Sequence, residues 1–246
     1  MKLHLLGTTG YHPNNHRHTA CMMLPSIGVV LDAGTAMFRV REHLTTSTLD
    51  IFLTHAHLDH VVGLTYLFDV LHEKQVDRVT VHAEPDKIQA IREHLFSEAL
   101  FPVTPPCEFV PLDQQISLGE GAKLTHFPLV HPGGAVGYRL DWPDRSMAYV
   151  TDTTADEAAD YVKLIQGVDL LVHECYFPDG WESWAAKTGH SCISPVARVA
   201  KAADVGRLVL VHLTPLVETE PPMDVGVAQA IFPETILATD EMVIEF

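Results

Sequence analysis

Three histidines and an aspartate stand within six positions of one short stretch, at His55, His57, Asp59 and His60. The run before them, LDIFLT, is short, apolar and rich in strand-forming residues, which predicts a buried strand. A buried strand usually ends in a loop, and loops carry chemistry. In an extended loop His55 and His57 point to the same side, because their positions differ by two. Imidazole nitrogens with a few carboxylate oxygens suit zinc, and also manganese or iron. The stretch therefore predicts a metal site at the C-terminal end of a strand.

More residues that can bind a metal stand where other apolar runs end. We expect strand ends along one edge of a sheet to bring such groups together, whatever their distance in the sequence. Zinc prefers about four to five ligands, so the full set is too large for one ion and sufficient for two. A carboxylate such as Asp152 can bridge two ions about 3.5–4 Å apart, with a water or hydroxide of lowered pKa as the second bridge. The candidates beyond the first stretch are His131, Asp152, His173 with Glu174, and His212.

The alternative is that these are ordinary core or surface histidines in a chain that contains 16 of them. Four such groups in one tight loop would be costly to desolvate without a shared partner, which favours a metal site at residues 55–60. Taken alone, His131, Asp152 and His212 fit either interpretation, and they gain weight from their positions after apolar runs. The other histidines have no such support, and we expect them to be structural or solvated.

Apolar runs and helical spacing predict a chain in which strands and helices are mixed. That order predicts an α/β domain whose sheets are covered by helices. We expect one helix with Ser194 at its N-cap, Pro195 at its first position and Gly206 beyond its end. Strands are predicted at 2–7, 27–34, 50–55, 78–83, 107–112, 123–130, 135–142, 146–152, 168–174, 207–213 and 241–246, and helices at 36–43, 84–97, 155–165, 194–203 and 223–232.

The composition sets limits on size, compartment and partners. The chain has 246 residues and is 47% hydrophobic, which suffices for a single domain over 1–246. We expect no membrane span, because no apolar stretch reaches about 18 residues, and no signal peptide. The four cysteines are scattered without a CxxC pair, which predicts reduced thiols in a cytoplasmic protein. The formal net charge of −16 opposes the binding of a polyanion such as nucleic acid.

The stretch THAHLDHVVGL resembles the HxHxDH motif of the metallo-β-lactamase superfamily, including the apolar strand before it and the GL at its end. Three later segments resemble that family in order, HPGGAVGYRL, YVTDT and LVLVHLTP. The resemblance covers nearly the whole chain and implies a four-layer αββα sandwich with metals at one edge of its paired sheets. It implies two divalent ions, Zn²⁺ in first place and Mn²⁺ or Fe²⁺ as alternatives. Their ligands would be His55, His57, His131 and Asp152 on one ion and Asp59, His60, Asp152 and His212 on the other.

Other segments extend this resemblance. VVLDAGT resembles the family's second turn, which implies that Asp32 supports the metal loop through hydrogen bonds and does not bind metal itself. LLVHECYF and TGHSC resemble segments of the ribonuclease Z branch. In that branch a glutamate orients a histidine that protonates the leaving oxygen, which implies Glu174 and His190 in these roles. The alternative is a structural hydrogen bond between the two. Asp59 is counted with Glu174 and His190 as catalytic.

We therefore expect a metal-dependent hydrolase, a phosphodiesterase that cleaves a small or nucleotide-derived diester through a metal-bridging hydroxide. The chain lacks the long basic arm of enzymes that process tRNA 3′ ends, and LTPLVETEPP follows its last histidine, so tRNA is not the expected substrate. The alternatives are a ribonuclease Z-type endonuclease for tRNA 3′ ends, a thioester, lactone or β-lactam hydrolase on the same metals, and a metal-containing protein without catalysis. A homodimer stays open by analogy with the branch.

Overall fold

The computed structural model describes residues 1–217 and 219–246. Within them the chain divides into two compact units. Unit 1 comprises Met1–Asp113 with Thr239–Glu245, and unit 2 comprises Gln114–Ala238 with Phe246. The single domain expected over 1–246 stays a prediction. Among the described helices, none combines the length and the apolar character that crossing a membrane requires.

The described residues form strands and short helices in a mixed order. The strands are β1 (Lys2–Gly7), β2 (Cys21–Leu24), β3 (Val29–Leu31), β4 (Thr48–Phe52), β5 (Arg78–Ala83), β6 (Glu108–Pro111), β7 (Gln115–Ser117), β8 (Lys123–Leu129), β9 (Ala135–Asp141), β10 (Ser146–Val150), β11 (Leu170–Glu174), β12 (Leu208–Val211), β13 (Thr235–Leu237) and β14 (Met242–Glu245). The α-helices are α1 (Val40–His43), α2 (Leu58–Val61), α3 (Leu67–Leu71), α4 (Pro85–Ala90), α5 (Asp160–Leu164), α6 (Glu182–Thr188), α7 (Ile193–Ala202) and α8 (Gly226–Gln229). Single 3₁₀ turns cover Pro25–Ile27, Thr35–Arg39, Val62–Tyr66 and Gly119–Gly121, and a π turn covers Ile91–Leu95.

Unit 1 is built on a mixed sheet with the strand order β14-β1-β2-β3-β4-β5-β6. The pairs from β3 to β6 are parallel, and the pairs from β14 to β3 are antiparallel. Apolar residues of β4 and β5, such as Ile51 and Val81, pack with Val70 of α3 and Ile88 of α4 in one buried core. Because β3 and β4 are parallel, the residues that follow them emerge at the same edge of the sheet.

Unit 2 is built on a second mixed sheet with the strand order β13-β12-β11-β10-β9-β8-β7. Strands β10 to β13 are parallel to one another, and β8 runs in the same direction as β10 because both are antiparallel to β9. The C-terminal ends of β8, β10, β11 and β12 therefore share one edge of this sheet. Helix α7 packs Val196 and Val199 into the core of the unit, beside Leu171 and Leu210.

The predicted elements are found in outline, with three kinds of error. Strands β2, β7 and β13 and helices α2, α3 and α6 were not predicted. The helices expected at 155–165 and 223–232 are much shorter, since only α5 and α8 form there. The predicted N-cap at Ser194 is wrong: α7 begins at Ile193 with Cys192 at its N-cap, and the Ser194 hydroxyl donates to Asp179 instead. A side-chain acceptor from a distant loop thus replaces the expected local cap.

Candidate metal centre

In unit 1 the histidine stretch leaves β4 and enters a helix almost at once. His55 and His57 offer ligand atoms within 4.8 Å of each other, and their rings lie edge to face with centroids 4.5 Å apart. His57 has extended backbone angles, with φ −68° and ψ 148°, and serves as the N-cap of α2. Asp59 and His60 therefore stand on the first turn of α2 and not in an extended loop. The short helix turns these two side chains onto a separate position, which suits the prediction of two ions.

A buried aspartate selects the ring nitrogen that His60 can offer to a metal. Asp32 Oδ1 accepts hydrogen bonds from the Thr54 amide at 2.8 Å and from the Thr54 hydroxyl at 2.9 Å. Asp32 Oδ2 lies 2.9 Å from His60 Nδ1, and both side chains are fully buried. With the proton held on Nδ1, the lone pair of His60 lies on Nε2, which is 3.5 Å from Asp59 Oδ2. The structure thus agrees with the supporting role that the resemblance implies for Asp32.

At His55, which is 1% exposed, hydrogen bonding likewise decides which ring nitrogen is left for a metal. Its Nδ1 lies 3.0 Å from the Thr54 hydroxyl, whose own proton goes to Asp32. The Nε2 atom of His55 then carries the lone pair. Asp59 is held in a similar way, because its Oδ2 accepts a hydrogen bond of 2.7 Å from the backbone amide of Tyr11. Such supporting contacts orient metal ligands and raise their basicity.

In unit 2 the residues after β8, β10 and β12 converge on Asp152. Its Oδ2 lies 3.6 Å from His131 Nε2, and its Oδ1 lies 3.3 Å from His212 Nε2. Two ligands of one tetrahedral zinc ion, at bond lengths of about 2.0–2.1 Å, are about 3.3–3.4 Å apart. The two oxygens of Asp152 therefore face two different histidines at separations typical of shared ligands. These separations would suit a carboxylate that bridges two metal ions, and the bridging role of Asp152 stays a prediction.

Gly189 positions His131 from another segment of unit 2. The carbonyl oxygen of Gly189 accepts a hydrogen bond from His131 Nδ1 at 2.9 Å, which again leaves Nε2 for a metal. The residue has φ +76°, and a Cβ atom built there would lie 2.6 Å from Pro132 Cδ and 2.8 Å from His131 Nδ1. Only glycine allows this approach without displacement. This role of Gly189 was not predicted from the sequence, although a glycine stands directly before His190.

Glu174 and His190 lie close together but not in hydrogen-bond contact. His190 Nδ1 is 3.8 Å from Glu174 Oε2, longer than a hydrogen bond, and 4.0 Å from Asp152 Oδ2. The Glu174 carboxylate accepts hydrogen bonds from the backbone amides of Tyr176 at 3.1 Å and Thr153 at 3.4 Å. Burial, together with the neighbouring charge of Asp152, raises the pKa of Glu174 well above its usual value. Glu174 thus ties the segment of Asp152 to the segment that follows β11.

His173 was among the strand-end candidates, and the structure gives it a structural role. Its Nδ1 lies 2.7 Å from the carbonyl oxygen of Glu174, and its Nε2 lies 3.1 Å from the hydroxyl of Tyr161. The ring is completely buried, and burial lowers its pKa to about 4. Both nitrogens are engaged with protein atoms, so the ring is held neutral inside the core of unit 2.

The candidate residues thus form two groups, each within one unit. Unit 1 brings together four of them, and unit 2 brings together five, of which Asp152, His190 and His212 offer ligand atoms within 4.8 Å of one another. The assignment of ligands from both units to the same ions stays a prediction. The groups are His55, His57, Asp59 and His60 in unit 1, and His131, Asp152, Glu174, His190 and His212 in unit 2.

Curated relatives with a similar sequence are named ribonuclease Z. The protein from Synechococcus sp. (strain CC9605) is 42% identical over 139 residues, which cover 55% of this chain and 42% of the relative. The chain thus matches less than half the length of that relative. The protein from Metallosphaera sedula is 23% identical over 291 residues, which cover 98% of this chain and 97% of the relative.

Solved structures share the fold over nearly the whole chain. The metallo-β-lactamase fold protein YhfI from Bacillus subtilis has a TM-score of 0.81 at 19% identity, with 99% of both chains covered. The short form of human tRNase Z has a TM-score of 0.77 at 22% identity, with 100% of this chain and 99% of that chain covered. A diphosphatase from the PhnP family has a TM-score of 0.74 at 19% identity, with 100% and 97% covered. At these identities the likeness concerns the fold alone.

A family model described as the beta-lactamase superfamily domain matches residues 28–213. This range includes every candidate ligand and both mixed sheets in large part. The match and the structural likeness confirm the predicted α/β sandwich fold, and they agree with the predicted class of metal-dependent hydrolase. The chain belongs to the metallo-β-lactamase superfamily.

Proposed function

We propose that the protein is a hydrolase of small or nucleotide-derived phosphodiesters that depends on two divalent metal ions, with Zn²⁺ in first place. The observation that carries this proposal is the placement of Asp152, whose two oxygens face Nε2 of His131 and Nε2 of His212. A carboxylate with one histidine at each oxygen is suited to bridge two ions. Membership in the superfamily supports the same chemistry.

The donor set fits divalent metals. Buried imidazoles carry their lone pairs on Nε2 because Asp32, Thr54 and Gly189 hold the Nδ1 atoms, and the remaining donors are carboxylate oxygens. This mixture of nitrogen and oxygen donors suits Zn²⁺, with Mn²⁺ and Fe²⁺ as alternatives. In the proposal, one ion takes His55, His57, His131 and Asp152, and the other takes Asp59, His60, Asp152 and His212.

When bound, the ions would lower the pKa of a coordinated water and polarise a phosphoryl oxygen. The chain's own residues supply the remaining steps. His190 is the proposed general acid, which gives a proton to the leaving oxygen. Glu174 is its positioning residue: it fixes the backbone amides of Thr153 and Tyr176, and the Tyr176 ring stacks on His190 with centroids 4.8 Å apart.

The charge of the chain supports a small substrate. A net charge of −16 repels a polyanion, whereas tRNA binding requires the neutralisation of several phosphates. A second candidate is nevertheless supported by the curated relatives, which are named ribonuclease Z. In that case the substrate would be a tRNA 3′ end, as in the sequence-based alternative. We propose the small diester as substrate.

We also propose a cytoplasmic location, in keeping with the four free cysteines.

The proposal is tested by elemental analysis of the purified protein followed by a substrate panel. The panel contains bis(p-nitrophenyl) phosphate, 2′,3′- and 3′,5′-cyclic nucleotides, precursor tRNA, a thioester and a lactone. We expect about two divalent ions per chain and turnover of diesters. Turnover of only the thioester or lactone would refute the phosphodiesterase, and preferential cleavage of precursor tRNA would establish the second candidate.

Asp152→Ala should abolish both diester cleavage and the binding of one ion or more. A matched control is Asp160→Ala, because the Asp160 side chain is 98% exposed at the start of α5. Full activity and metal content in Asp152→Ala would instead indicate a protein without this catalytic centre.

A further inference from the structure

A series of aromatic rings in unit 2 runs outward from His190. Tyr176 stacks on His190 with centroids 4.8 Å apart and planes 19° apart. Phe177 meets His190 edge to face, with centroids 6.5 Å apart. Trp181 then stacks on Phe177 with centroids 5.9 Å apart and planes 8° apart. The ring of Trp181 therefore lies one aromatic layer beyond the proposed general acid.

Exposure rises along this series. Tyr176 is 8% exposed, Phe177 is partly buried, and Trp181 is 48% exposed. A half-exposed tryptophan leaves a large apolar surface in water, because its ring carries only one polar atom, at one edge. Its inner face is covered by Phe177. A flat apolar group that covered more of Trp181 would remove further apolar surface from water.

The backbone holds these rings in place. The amide of Phe177 donates to the carbonyl oxygen of Ser191 at 3.0 Å, and the amide of Ile193 donates to the carbonyl oxygen of Phe177 at 3.1 Å. The carbonyl oxygen of Trp181 accepts hydrogen bonds from the amides of Trp184 and Ala185 at the start of α6. The stacked pair of Phe177 and Trp181 is thus preorganised, which lowers the entropy lost when a ligand binds.

The charges beside Trp181 favour a neutral ring over a phosphate chain. Asp179 and Glu182 flank it in the sequence. Glu182 accepts a hydrogen bond from the amide of Gly180 at 2.9 Å, and Asp179 accepts hydrogen bonds from the amide of Ser194 at 3.1 Å and from the Ser194 hydroxyl. These acidic groups would repel further phosphates. The charge pattern therefore fits one uncharged flat group attached to the diester.

We propose that the stacked pair of Phe177 and Trp181 binds the nucleobase on the leaving-group side of the substrate, so that the substrate is a nucleotide diester. This inference rests on the proposed function, because the role of His190 at the leaving oxygen defines that side. Stacking on an aromatic ring accepts every base, since each base has a π face. The pair therefore selects for a nucleoside as leaving group without selecting its sequence.

The test compares a dinucleoside monophosphate with two analogues, each of which has one base replaced by hydrogen. Trp181→Leu should raise KM for the dinucleotide by about 5- to 150-fold, the range expected for loss of one base stack. The variant should leave kcat within about twofold and should leave KM unchanged for the analogue without the leaving-side base. Trp181→Phe should restore most of the affinity, because it keeps an aromatic face.

Trp184→Leu is the matched control. Trp184 lies on α6, which begins directly after Trp181, and is 52% exposed, but it packs against Lys187, whose Nζ lies 4.8 Å from its ring centroid. This variant should have the KM of the unmodified protein. Thermal unfolding of each variant checks that α6 remains folded. An equal rise of KM for all substrates in Trp181→Leu, or no rise, would overturn the inference.

A binding measurement without metal separates this inference from the proposed function. Thymidine 5′-monophosphate should quench tryptophan fluorescence of the metal-free protein, whereas deoxyribose 5-phosphate should not, and Trp181→Leu should lose the quenching. Quenching without any diester cleavage would sustain the stacking site and refute the phosphodiesterase. Diester cleavage with neither quenching nor a KM effect would refute the stacking site alone.

Discussion

Asp32→Asn is the sharpest test of how unit 1 prepares its ligands. The substitution keeps the size of the side chain, and asparagine tolerates the left-handed backbone of this residue, which has φ +59°. An amide can still accept the Thr54 amide proton at Oδ1. Its NH₂ group, however, would face His60 Nδ1, where Oδ2 now lies at 2.9 Å. The new NH₂ group and the N–H at His60 Nδ1 would then be two donors facing each other. The His60 proton should therefore move to Nε2, the atom that would bind metal.

Loss of such a supporting hydrogen bond typically weakens metal binding by about 10- to 100-fold. We expect an effect of this size on one of two ions, measured by competition with a chromophoric chelator. The control is Asp50→Asn in the same unit, because Asp50 Oδ1 lies 3.2 Å from His82 Nε2 in a similar pair that contains no candidate ligand. Equal metal affinity in Asp32→Asn and the unmodified protein would refute the reasoning, as would an equal loss in Asp50→Asn.

Three further substitutions test other parts of the structure. Gly189→Ala should destabilise the fold by about 1–3 kcal/mol and weaken metal binding, because the new Cβ would displace His131; chemical denaturation and chelator competition measure the two effects, and an unaltered protein would contradict the geometry. The folded-state pKa of His173, about 4, lies below its unfolded value of 6.5, so this residue contributes stability above pH 6.5 that is lost as the pH falls towards 4. His173→Gln should therefore lose less stability than the unmodified protein in that window, by about 1.4 kcal/mol per pH unit, and parallel pH profiles of urea unfolding would exclude this. Asp240→Ala should cost about 3–5 kcal/mol in urea unfolding, because Arg39 Nη1 is 2.6 Å from Asp240 Oδ2 in a pair that is largely buried; a loss below about 1 kcal/mol would show that water compensates.

The elements that sequence patterns predicted well are those with long apolar runs. Strands β1 and β5 occupy their predicted bounds. Most of their residues are buried, so the apolar residues in the sequence mark the extent of each strand directly. The short strands β7 and β13 were missed because three residues carry no measurable periodicity. Helix α6 was missed for another reason: in ESWAAKT only Ala185 is buried and the one aromatic residue, Trp184, is half exposed, so no apolar stripe marks the segment as helical.

The candidate site also has features that the sequence predicted and features that it did not. The residue types and their spacing, above all His55, His57, Asp59 and His60, were enough to predict metal chemistry, because few other arrangements make such a cluster stable. The direction of β8 relative to β10 was not predictable from the run of residues before His131. It follows from the two antiparallel pairings with β9, which place the ends of both strands at one edge.

By itself, the amino-acid sequence determined which side chains can bind metal and that each follows an apolar strand, since local pattern and side-chain chemistry are written in the order of residues. Only the tertiary structure decided which ring nitrogen each histidine offers and which oxygen of Asp152 each histidine faces. Those choices depend on hydrogen bonds between distant residues. Asp32 and His60 are 28 positions apart in the sequence, and His131 and Gly189 are 58 positions apart. Such contacts are set by sheet register and packing, which no local periodicity encodes.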